Sequence, residues 1–216
     1  MTATKNGLFI VFEGGDGAGK STQAGRLATF LTEQGYAVRT TFEPGDTALG
    51  AQMRQILLHS QLDPCPRAET LLYAVDKAQH VATVVRPALD DAQVVICDRY
   101  IDSTIAYQGA GRALQADEVA RIGWWAVDNV VPDLTVLMDV TVGDGLASKE
   151  ERDRMESAGE DFHERVRRHF LDLAAAQPER YLVVNGRDPK AEVTAQIRAR
   201  VLELIDSAGF SLRRNP

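Results

Sequence analysis

A glycine-rich segment near the start of the chain constrains the fold more than any other feature. Residues 14–22 read GGDGAGKST and come shortly after the apolar run LFIVF at 8–12. A turn with four glycines costs conformational entropy on folding, so we expect its backbone to have a compensating role. The pattern Gly-x4-Gly-Lys-Ser, with a strand-like run before it and an amphipathic helical pattern after it, indicates a phosphate-binding loop.

The glycines allow successive backbone N–H groups to turn inward around an anion, and the following helix adds its partial positive charge. In such a loop Lys20 reaches the β- and γ-phosphates and the Ser21 hydroxyl binds Mg²⁺. The alternative, a tight strand–helix turn with an incidental lysine, is disfavoured because every element of the motif and its context is present. The sequence therefore predicts a nucleoside triphosphate site. Its predicted ATP-binding residues are Gly14, Gly15, Asp16, Gly17, Ala18, Gly19, Lys20, Ser21 and Thr22.

Strand-like runs alternate with longer helical patterns along the whole chain. Five runs rich in Val, Ile, Leu, Phe or Tyr occupy residues 7–13, 36–42, 93–98, 134–139 and 181–185. Continuous apolar strands that alternate with helices predict a parallel sheet covered on both faces. We expect an α/β, three-layer P-loop NTPase fold, with a five-stranded parallel sheet flanked by helices, as a single domain over 1–216.

Composition limits the partners of the chain. Lys and Arg number 24 against 31 Asp and Glu, for a net charge of −7, which argues against general nucleic-acid or anionic-membrane binding. The chain has no run of 18 apolar residues, and MTATKNG at its start lacks a signal-peptide core; we therefore expect a cytoplasmic protein. Cys65 and Cys97 match no metal-binding spacing, and Cys97 is expected to be a buried, reduced thiol.

One stretch departs from the alternating pattern. Residues 146–165, LASKEERDRMESAGEDFHER, are mostly charged and offer hardly any apolar face. Two interpretations stay open: a mobile cover over the site, which would make a short charged lid at about 146–160, or a solvated charged helix.

An Asp-Arg pair at the end of the third strand-like run points to a second anion site. Asp98 and Arg99 would lie at the carboxyl edge of the sheet, where ligands of open α/β sheets bind. The arginine could hold a phosphate through two hydrogen bonds, and the aspartate could lie near the metal. A solvent-exposed pair at a helix start is the alternative. A GTPase is disfavoured, because the chain has no NKxD element to read the guanine base. Two anion sites on one sheet favour a kinase, which brings a donor and an acceptor phosphate together.

The order of several motifs resembles that of the thymidylate kinases, which convert dTMP to dTDP with ATP. FEGGDGAGKSTQ is similar to the family's opening loop, and DRYIDSTIAYQGAGR to its Asp-Arg-Tyr element. FEPGDTALGAQMRQILL, LLYAVDKAQHVATVVRPAL and PDLTVLMDV resemble the second strand, the thymine-holding segment and the fourth strand. The resemblance implies an ATP-dependent and Mg²⁺-dependent step of dTTP synthesis, and a homodimer, which is usual among the relatives.

The resemblance also assigns roles on the acceptor side. Arg54 and Arg99 would hold the dTMP phosphate, and Glu43 would lie near it through Mg²⁺ or water. Tyr73 would stack on the thymine, and Tyr107 would pack beneath the deoxyribose. The full set of dTMP-binding residues implied by the family is Asp16, Glu43, Arg54, Tyr73, Lys77, Arg99, Thr104, Tyr107 and Gln108.

Members of the family carry a catalytic arginine either in the phosphate loop or on the lid. Gly17 occupies the loop position here, so the resemblance assigns this role to the lid, where Lys149, Arg152 and Arg154 are candidates. Arg154, in the segment DRME, matches the family's Asp-Arg-x-Glu best. The predicted catalytic residues are Lys20, Arg99, Arg152 and Arg154, and the predicted metal ligands are Ser21 and Asp98.

Two departures from the family pattern bear on substrate choice. Lys77 stands where an arginine usually donates to the thymine, and Tyr73 replaces the usual phenylalanine. Lysine keeps the charge but lacks the planar fork of arginine. Lys77 therefore keeps open a broader pyrimidine nucleoside monophosphate kinase, and a non-catalytic nucleotide-binding switch on the same fold is a further alternative.

Overall fold

A five-stranded parallel sheet with helices on both faces forms the protein. The computed structural model describes residues 6–112, 114–143, 158–207 and 209–215. The strands lie side by side in the order β2-β3-β1-β4-β5, and every neighbouring pair is parallel. The predicted α/β class, the strand count and the parallel sheet are thereby confirmed.

The strands and helices follow one another in alternation. In chain order they are β1 Leu8–Gly14, α1 Lys20–Glu33, β2 Val38–Phe42, α2 Ala48–Arg54, α3 Pro66–His80, α4 Arg86–Asp90, β3 Val94–Asp98, α5 Ile101–Thr104, α6 Ala116–Ala126, β4 Leu134–Asp139, α7 Glu160–Ala176, β5 Tyr181–Asn185 and α8 Lys190–Ser207. Each strand begins and ends within about two residues of the range predicted from the sequence, as expected for boundaries set by local pattern.

The sheet is buried on both faces because successive side chains of a strand point to opposite sides. On β1, Leu8, Ile10 and Phe12 pack in the cluster that holds the apolar faces of α1 and α8. Phe9 and Val11 pack on the opposite face with side chains of α4, α5 and α6. The result is a helix–sheet–helix sandwich, and the near-continuous apolar strands predicted from the sequence are its middle layer.

The carboxyl ends of β1 and β3 lie next to each other. Phe12 pairs with Asp98 in the register of these two strands, and the Arg99 N–H donates to the Phe12 carbonyl at 2.9 Å. On the other side of β3, the Glu43 N–H donates to the Asp98 carbonyl at 3.0 Å. The loops that follow β1, β2 and β3 therefore open onto one edge of the sheet, where ligands of such sheets bind.

Two helical regions differ from the sequence expectation. The apolar spacing of residues 68–89 predicts one helix that closes near Pro87. In the structure it runs from Pro66 to Asp90 as α3, a wider π-helical turn at Val81–Val85, and α4. Pro87 does not end it, because the chain stays helical through Val85 and Arg86 and the proline follows directly after the π-helical turn. The mobile cover proposed for 146–165 is wrong for residues 160–165, which begin α7 and bury Phe162; residues 146–157 lie outside the described residues.

A π-helical turn also continues α2, at Gln55–His59, and another, Ile105–Gly111, continues α5. Such turns place one more residue in each turn than an α-helix and often occur at functional sites. Tyr107 and Gln108 lie in this segment and are both buried. Among the described helices, none is long and apolar enough to cross a membrane.

Candidate active site

A cleft of about 820 Å³ lies at the carboxyl edge of the sheet. It brings together residues from the loop after β1, the loops after β2 and β3, helix α3 and the segment after α5. All nine residues assigned to dTMP and most of the phosphate loop line it. Its lining includes Asp16, Gly17, Ala18, Gly19, Lys20, Ser21, Thr22, Glu43, Arg54, Tyr73, Lys77, Asp98, Arg99, Thr104, Tyr107 and Gln108.

The phosphate loop has a backbone that only glycine allows at its first position. Gly14 has φ 130°, and a Cβ there would lie 2.3 Å from the Met138 carbonyl oxygen. Gly19, with φ 92°, precedes the first residue of α1. The loop therefore turns tightly against β4 and directs the start of α1, with its partial positive charge, toward the cleft.

Lys20 lies across this loop. Its side chain is buried, and its ammonium donates to the Gly14 carbonyl at 2.9 Å and to the Gly15 carbonyl at 2.7 Å. Burial, with the nearby Arg99 charge, lowers the pKa of Lys20 to about 8. Lys20 is therefore mostly protonated at neutral pH, and its ammonium is held at the mouth of the loop.

Ser21 and Asp98, predicted as metal ligands from separate motifs, are in contact. The Ser21 hydroxyl donates to Asp98 Oδ2 at 2.5 Å. A hydroxyl oxygen and a carboxylate oxygen at the edge of a phosphate loop form the donor set that Mg²⁺ uses in P-loop enzymes.

Arg99 occupies the centre of the cleft with an unusual backbone. Its φ of 69° lies in the left-handed region, which costs energy for a residue with a side chain. The guanidinium donates to the Gly14 carbonyl at 3.2 Å, to Asp16 Oδ1 at 2.6 Å and to Ser103 Oγ at 2.9 Å. It also lies 5.2 Å from the centre of the Tyr107 ring. These contacts hold a cation next to the phosphate loop.

A second guanidinium faces the cleft from α2. Arg54 donates to the Pro44 carbonyl at 2.7 Å, and its guanidinium lies 5.7 Å from the centre of the Phe42 ring. Phe42 is exposed at the end of β2, so the ring supports an arginine that would otherwise extend into water. Arg54 and Arg99 thus line one cleft from two different elements.

Glu43 and Lys77 form a buried ion pair. Lys77 contacts Glu43 Oε2, and their side chains are 2% and 1% exposed. His80 Nδ1 lies 2.7 Å from the other carboxylate oxygen, and Lys77 also donates to the Tyr100 carbonyl at 2.9 Å. Burial alone would raise the pKa of Glu43, but Lys77 and His80 outweigh it and lower that pKa. Burial would lower the pKa of Lys77, but Glu43 raises it.

The ion pair changes what these two residues are expected to do. The family resemblance placed Glu43 near the phosphate and Lys77 on the thymine, whereas their hydrogen bonds here join β2 to α3. Asp76, also on α3, accepts from the Gly45 N–H at 3.1 Å. Together the three side chains fix residues 43–45, whose Pro44 carbonyl receives Arg54. We therefore expect Glu43 and Lys77 to position the loop that supports Arg54. Both residues also line the cleft, and their contact with dTMP, implied by the family resemblance, stays a prediction.

Replacing Lys77 by methionine is expected to lower the free energy of unfolding by about 3–5 kcal/mol, because it leaves the Glu43 carboxylate buried without its cation. Denaturant unfolding measures the change, and methionine at the exposed Lys190 is the matched control. The double variant E43Q/K77M is expected to lose less than the two single losses added together, because the pair is removed as a unit. A loss below about 1 kcal/mol in K77M, as for a surface ion pair, would contradict the assignment.

The far end of the cleft offers polar atoms deep in the protein. Within the part of the chain that the structure describes, Thr104 Oγ1 is buried and has no hydrogen-bond partner. Gln108 Nε2 donates to Glu69 Oε1 at 2.9 Å, which fixes the amide and presents its oxygen as the acceptor. Tyr73 is partly buried on α3 and lines the same cavity. A flat ring with polar edges could lie between these groups.

Sequence reasoning missed the buried partners of the site. Glu13, Glu69, Asp76 and His80 hold functional side chains or loops, yet the pattern gives no sign of it. Three of them, Glu13, Glu69 and Asp76, are charged, and charged residues are normally exposed. Arg152 and Arg154, the predicted lid arginines, lie outside the described residues.

The sheet order, the phosphate loop after β1 and the arginine-lined cavity beyond it define the class of P-loop nucleoside monophosphate kinases, which are phosphotransferases. A family model described as thymidylate kinase matches residues 12–197. The chain belongs to the thymidylate kinase family.

Thymidylate kinases from other organisms are similar to this chain over nearly its full length. A thymidylate kinase of Cutibacterium acnes is 54% identical over 201 residues, which cover 93% of this chain and 98% of that protein. A thymidylate kinase of Clavibacter michiganensis is 51% identical over 209 residues, covering 95% and 99%. The crystal structure of a thymidylate kinase from Ehrlichia chaffeensis matches with a TM-score of 0.73 at 32% identity, covering 91% of this chain and 99% of that one.

Proposed function

We propose that the protein transfers the γ-phosphoryl group of ATP to dTMP and forms dTDP. The main support for this proposal is that two groups of anion-binding residues line the same cleft. One is the phosphate loop with Lys20, and the other is the guanidinium pair Arg54 and Arg99. Two phosphorylated ligands can therefore face each other at the sheet edge.

The chemistry needs little activation of the nucleophile, since an oxygen of the dTMP phosphate is already anionic. Phosphoryl transfer then depends on positioning and on neutralising charge. We propose that Lys20 binds the transferring phosphoryl group and that Arg99 holds the acceptor phosphate beside it. Asp16, which bonds Arg99 at 2.6 Å and receives the Tyr107 hydroxyl at 3.1 Å, joins the loop to the acceptor side.

Mg²⁺ is part of the proposal, with Ser21 and Asp98 as its protein ligands. Among the described residues, no group of three or more His, Cys, Asp or Glu side chains could hold a metal. A site with few protein ligands suits Mg²⁺, which keeps its waters and binds substrate phosphates. When bound, the ion would neutralise charge on the ATP phosphates.

The base-binding end favours a pyrimidine held between Tyr73 and the segment after α5. Within the part of the chain that the structure describes, Thr104 Oγ1 is a buried polar atom without a hydrogen-bond partner beside this pocket, and the Gln108 oxygen is oriented by Glu69. Tyr107 packs against Arg99 where the sugar would lie. These positions support thymine in this pocket.

Phosphoryl transfer to a panel of nucleoside monophosphates tests the proposal. The full-length protein is mixed with ATP, Mg²⁺ and each acceptor, and ADP formation is measured. The expected result is strong ADP formation with dTMP. Equal rates with several pyrimidine acceptors would contradict the stated specificity, and ATP binding without transfer to any acceptor would contradict the kinase activity.

Alanine at Arg154 is expected to lower kcat by about 10³-fold or more and to change both KM values much less, because the arginine would meet charge that develops only in the transition state. Steady-state kinetics with ATP and dTMP measure this. Alanine at Arg152 is the matched control and is expected to have the smaller effect. A change confined to KM, or a larger loss of kcat in R152A, would move the catalytic role away from Arg154.

We further propose that the protein is a homodimer. Leu71 and Val75, one turn apart on α3, are 54% and 42% exposed, and Trp125 on the adjoining α6 is 81% exposed. Trp124, its neighbour, packs against the core instead. Large exposed apolar side chains on neighbouring helices favour a contact between subunits, and sedimentation of the full chain measures it. The cytoplasmic location stays a prediction.

A further inference from the structure

We infer that Glu13 is a positioning residue for phosphate acceptance, and that it holds the Arg99 guanidinium in place through the Ser103 hydroxyl and the backbone of Tyr100. The inference rests on the proposed function, in which Arg99 holds the acceptor phosphate. Glu13 stands next to the phosphate loop in β1, yet neither the loop motif nor the acceptor residues include it.

The Glu13 carboxylate is fully buried and accepts three hydrogen bonds from one short segment. Its Oε1 receives the Tyr100 N–H at 2.8 Å and the Ser103 N–H at 3.0 Å. Its Oε2 receives the Ser103 hydroxyl at 2.6 Å. Both oxygens are therefore committed to the residues that directly follow Arg99 in the chain.

The hydroxyl of Ser103 connects this carboxylate to Arg99. It donates its hydrogen to Glu13 and accepts from Arg99 Nη1 at 2.9 Å. Because an ionised carboxylate can only accept, it fixes the direction of the hydroxyl hydrogen and leaves a lone pair facing the guanidinium. The bond to the Tyr100 N–H also anchors the backbone directly after Arg99. Arg99 itself has a φ of 69°, a conformation that needs support from its surroundings.

Protonation of Glu13 would disturb this arrangement. A protonated Oε2 would donate to Ser103 Oγ and turn the hydroxyl hydrogen toward the cationic guanidinium. Burial, reinforced by the Asp102 charge, raises the pKa of Glu13 to about 7, against the opposing effect of Arg99. The other titratable groups that interact with it are Lys20, Lys77, Cys97 and Tyr181.

Glutamine at Glu13 tests the inference, because it keeps the size of the side chain and the acceptor for the two N–H groups but always donates at its amide nitrogen. We expect E13Q to raise the KM for dTMP about tenfold at pH 8.5, the effect of weakening one charged hydrogen bond. The kcat and the KM for ATP are expected to stay within about threefold, because Glu13 acts on the acceptor side.

The pH dependence separates positioning from a general structural defect. The ratio of the E13Q and wild-type KM values for dTMP is expected to fall toward one below pH 6, since wild-type Glu13 is then protonated as well. Its midpoint should lie near the Glu13 pKa of about 7. Titration of the dTMP phosphate, whose second pKa is near 6, affects both proteins and cancels in the ratio.

Alanine at Ser103 provides a second variant that leaves the Glu13 bonds to the two backbone N–H groups intact. We expect S103A to raise the KM for dTMP about as much as E13Q does. The ratio of the S103A and E13Q KM values is expected to stay constant with pH, because neither variant has the carboxylate–hydroxyl bond that protonation of Glu13 changes. The exposed residues Glu33 and Ser207 give the matched controls E33Q and S207A, which are expected to behave as wild type. Thermal unfolding of each variant confirms that the compared proteins are folded.

The outcomes are distinct. Wild-type KM for dTMP in both E13Q and S103A, with wild-type turnover intact, would overturn the role of Glu13 and leave the kinase proposal standing. So would a KM ratio that does not vary between pH 5.5 and 8.5, or an equal rise in the KM for ATP. A wild-type protein that does not phosphorylate dTMP would overturn the proposed function and this inference with it.

Discussion

Alanine at Arg99 is expected to raise the KM for dTMP by about 10²-fold or more, because each hydrogen bond to a charged group contributes about 1.5–3 kcal/mol and the guanidinium can give two to one phosphate. The KM for ATP is expected to change by less than about threefold. Arg99 lies at the end of β3, on the cleft side of the phosphate loop, and its bonds to Asp16 and Ser103 direct it there. Steady-state kinetics with each substrate varied in turn measure both values.

Two further variants sharpen this result. Lysine at Arg99 keeps the charge but loses the planar fork, so we expect it to recover only part of the dTMP affinity. Alanine at Arg86, a half-buried arginine of α4 that pairs with Asp128, is the control outside the cleft. Equal losses of affinity for ATP and dTMP in R99A would show that the arginine supports the phosphate loop rather than the acceptor.

Methionine at Lys20 is expected to lower kcat by about 10²–10³-fold, the usual cost of removing one preorganised donor that stabilises transition-state charge. The ammonium is buried at the mouth of the loop and bonds the Gly14 and Gly15 carbonyls. Arg99 also bonds the Gly14 carbonyl, but its guanidinium is needed on the acceptor side. Binding of dTMP is expected to persist, since the acceptor side keeps Arg54 and Arg99. Single-turnover kinetics and dTMP titration measure the two effects.

The outcome that contradicts this role is a K20M protein with near wild-type kcat and only a raised KM for ATP, because Lys20 would then serve ground-state binding alone. Loss of dTMP binding in a folded K20M protein would instead show that the two halves of the cleft are not independent. Circular dichroism and thermal unfolding establish that the variant is folded.

The fold and the loop motifs could be predicted because they depend on local pattern. Apolar runs alternating with helical spacing define a parallel sheet, and the carboxyl ends of its strands meet at one edge. That geometry alone predicts that Lys20, Asp98 and Arg99 lie close together, and the structure brings them to one cleft. The roles of Arg54, Tyr73 and Thr104 came from the family resemblance, since nothing in their local sequence distinguishes them from ordinary helix residues.

The buried polar network could not be predicted, because it depends on contacts between residues far apart in the chain. Glu43 meets Lys77 and His80 across 34 and 37 positions, and Glu13 meets Ser103 across 90. Only the packing of α3 and α5 on the sheet decides that these carboxylates are buried. The start of α7 shows the same limit, since only the packing of Phe162 and Val166 in the core gives this charged segment a buried face.

The π-helical turn at Ile105–Gly111 has a consequence for how this chain can vary in length. Tyr107 faces Arg99 from within that turn. Losing one residue from the segment would restore ordinary α-helical winding and turn the side chains within it by about 100°, while the chain beyond would keep its place. An insertion in the loop between β5 and α8 would displace surface backbone, whereas a deletion here would swing the aromatic ring away from its cation. Homologous chains should therefore tolerate length changes elsewhere far better than at this single turn.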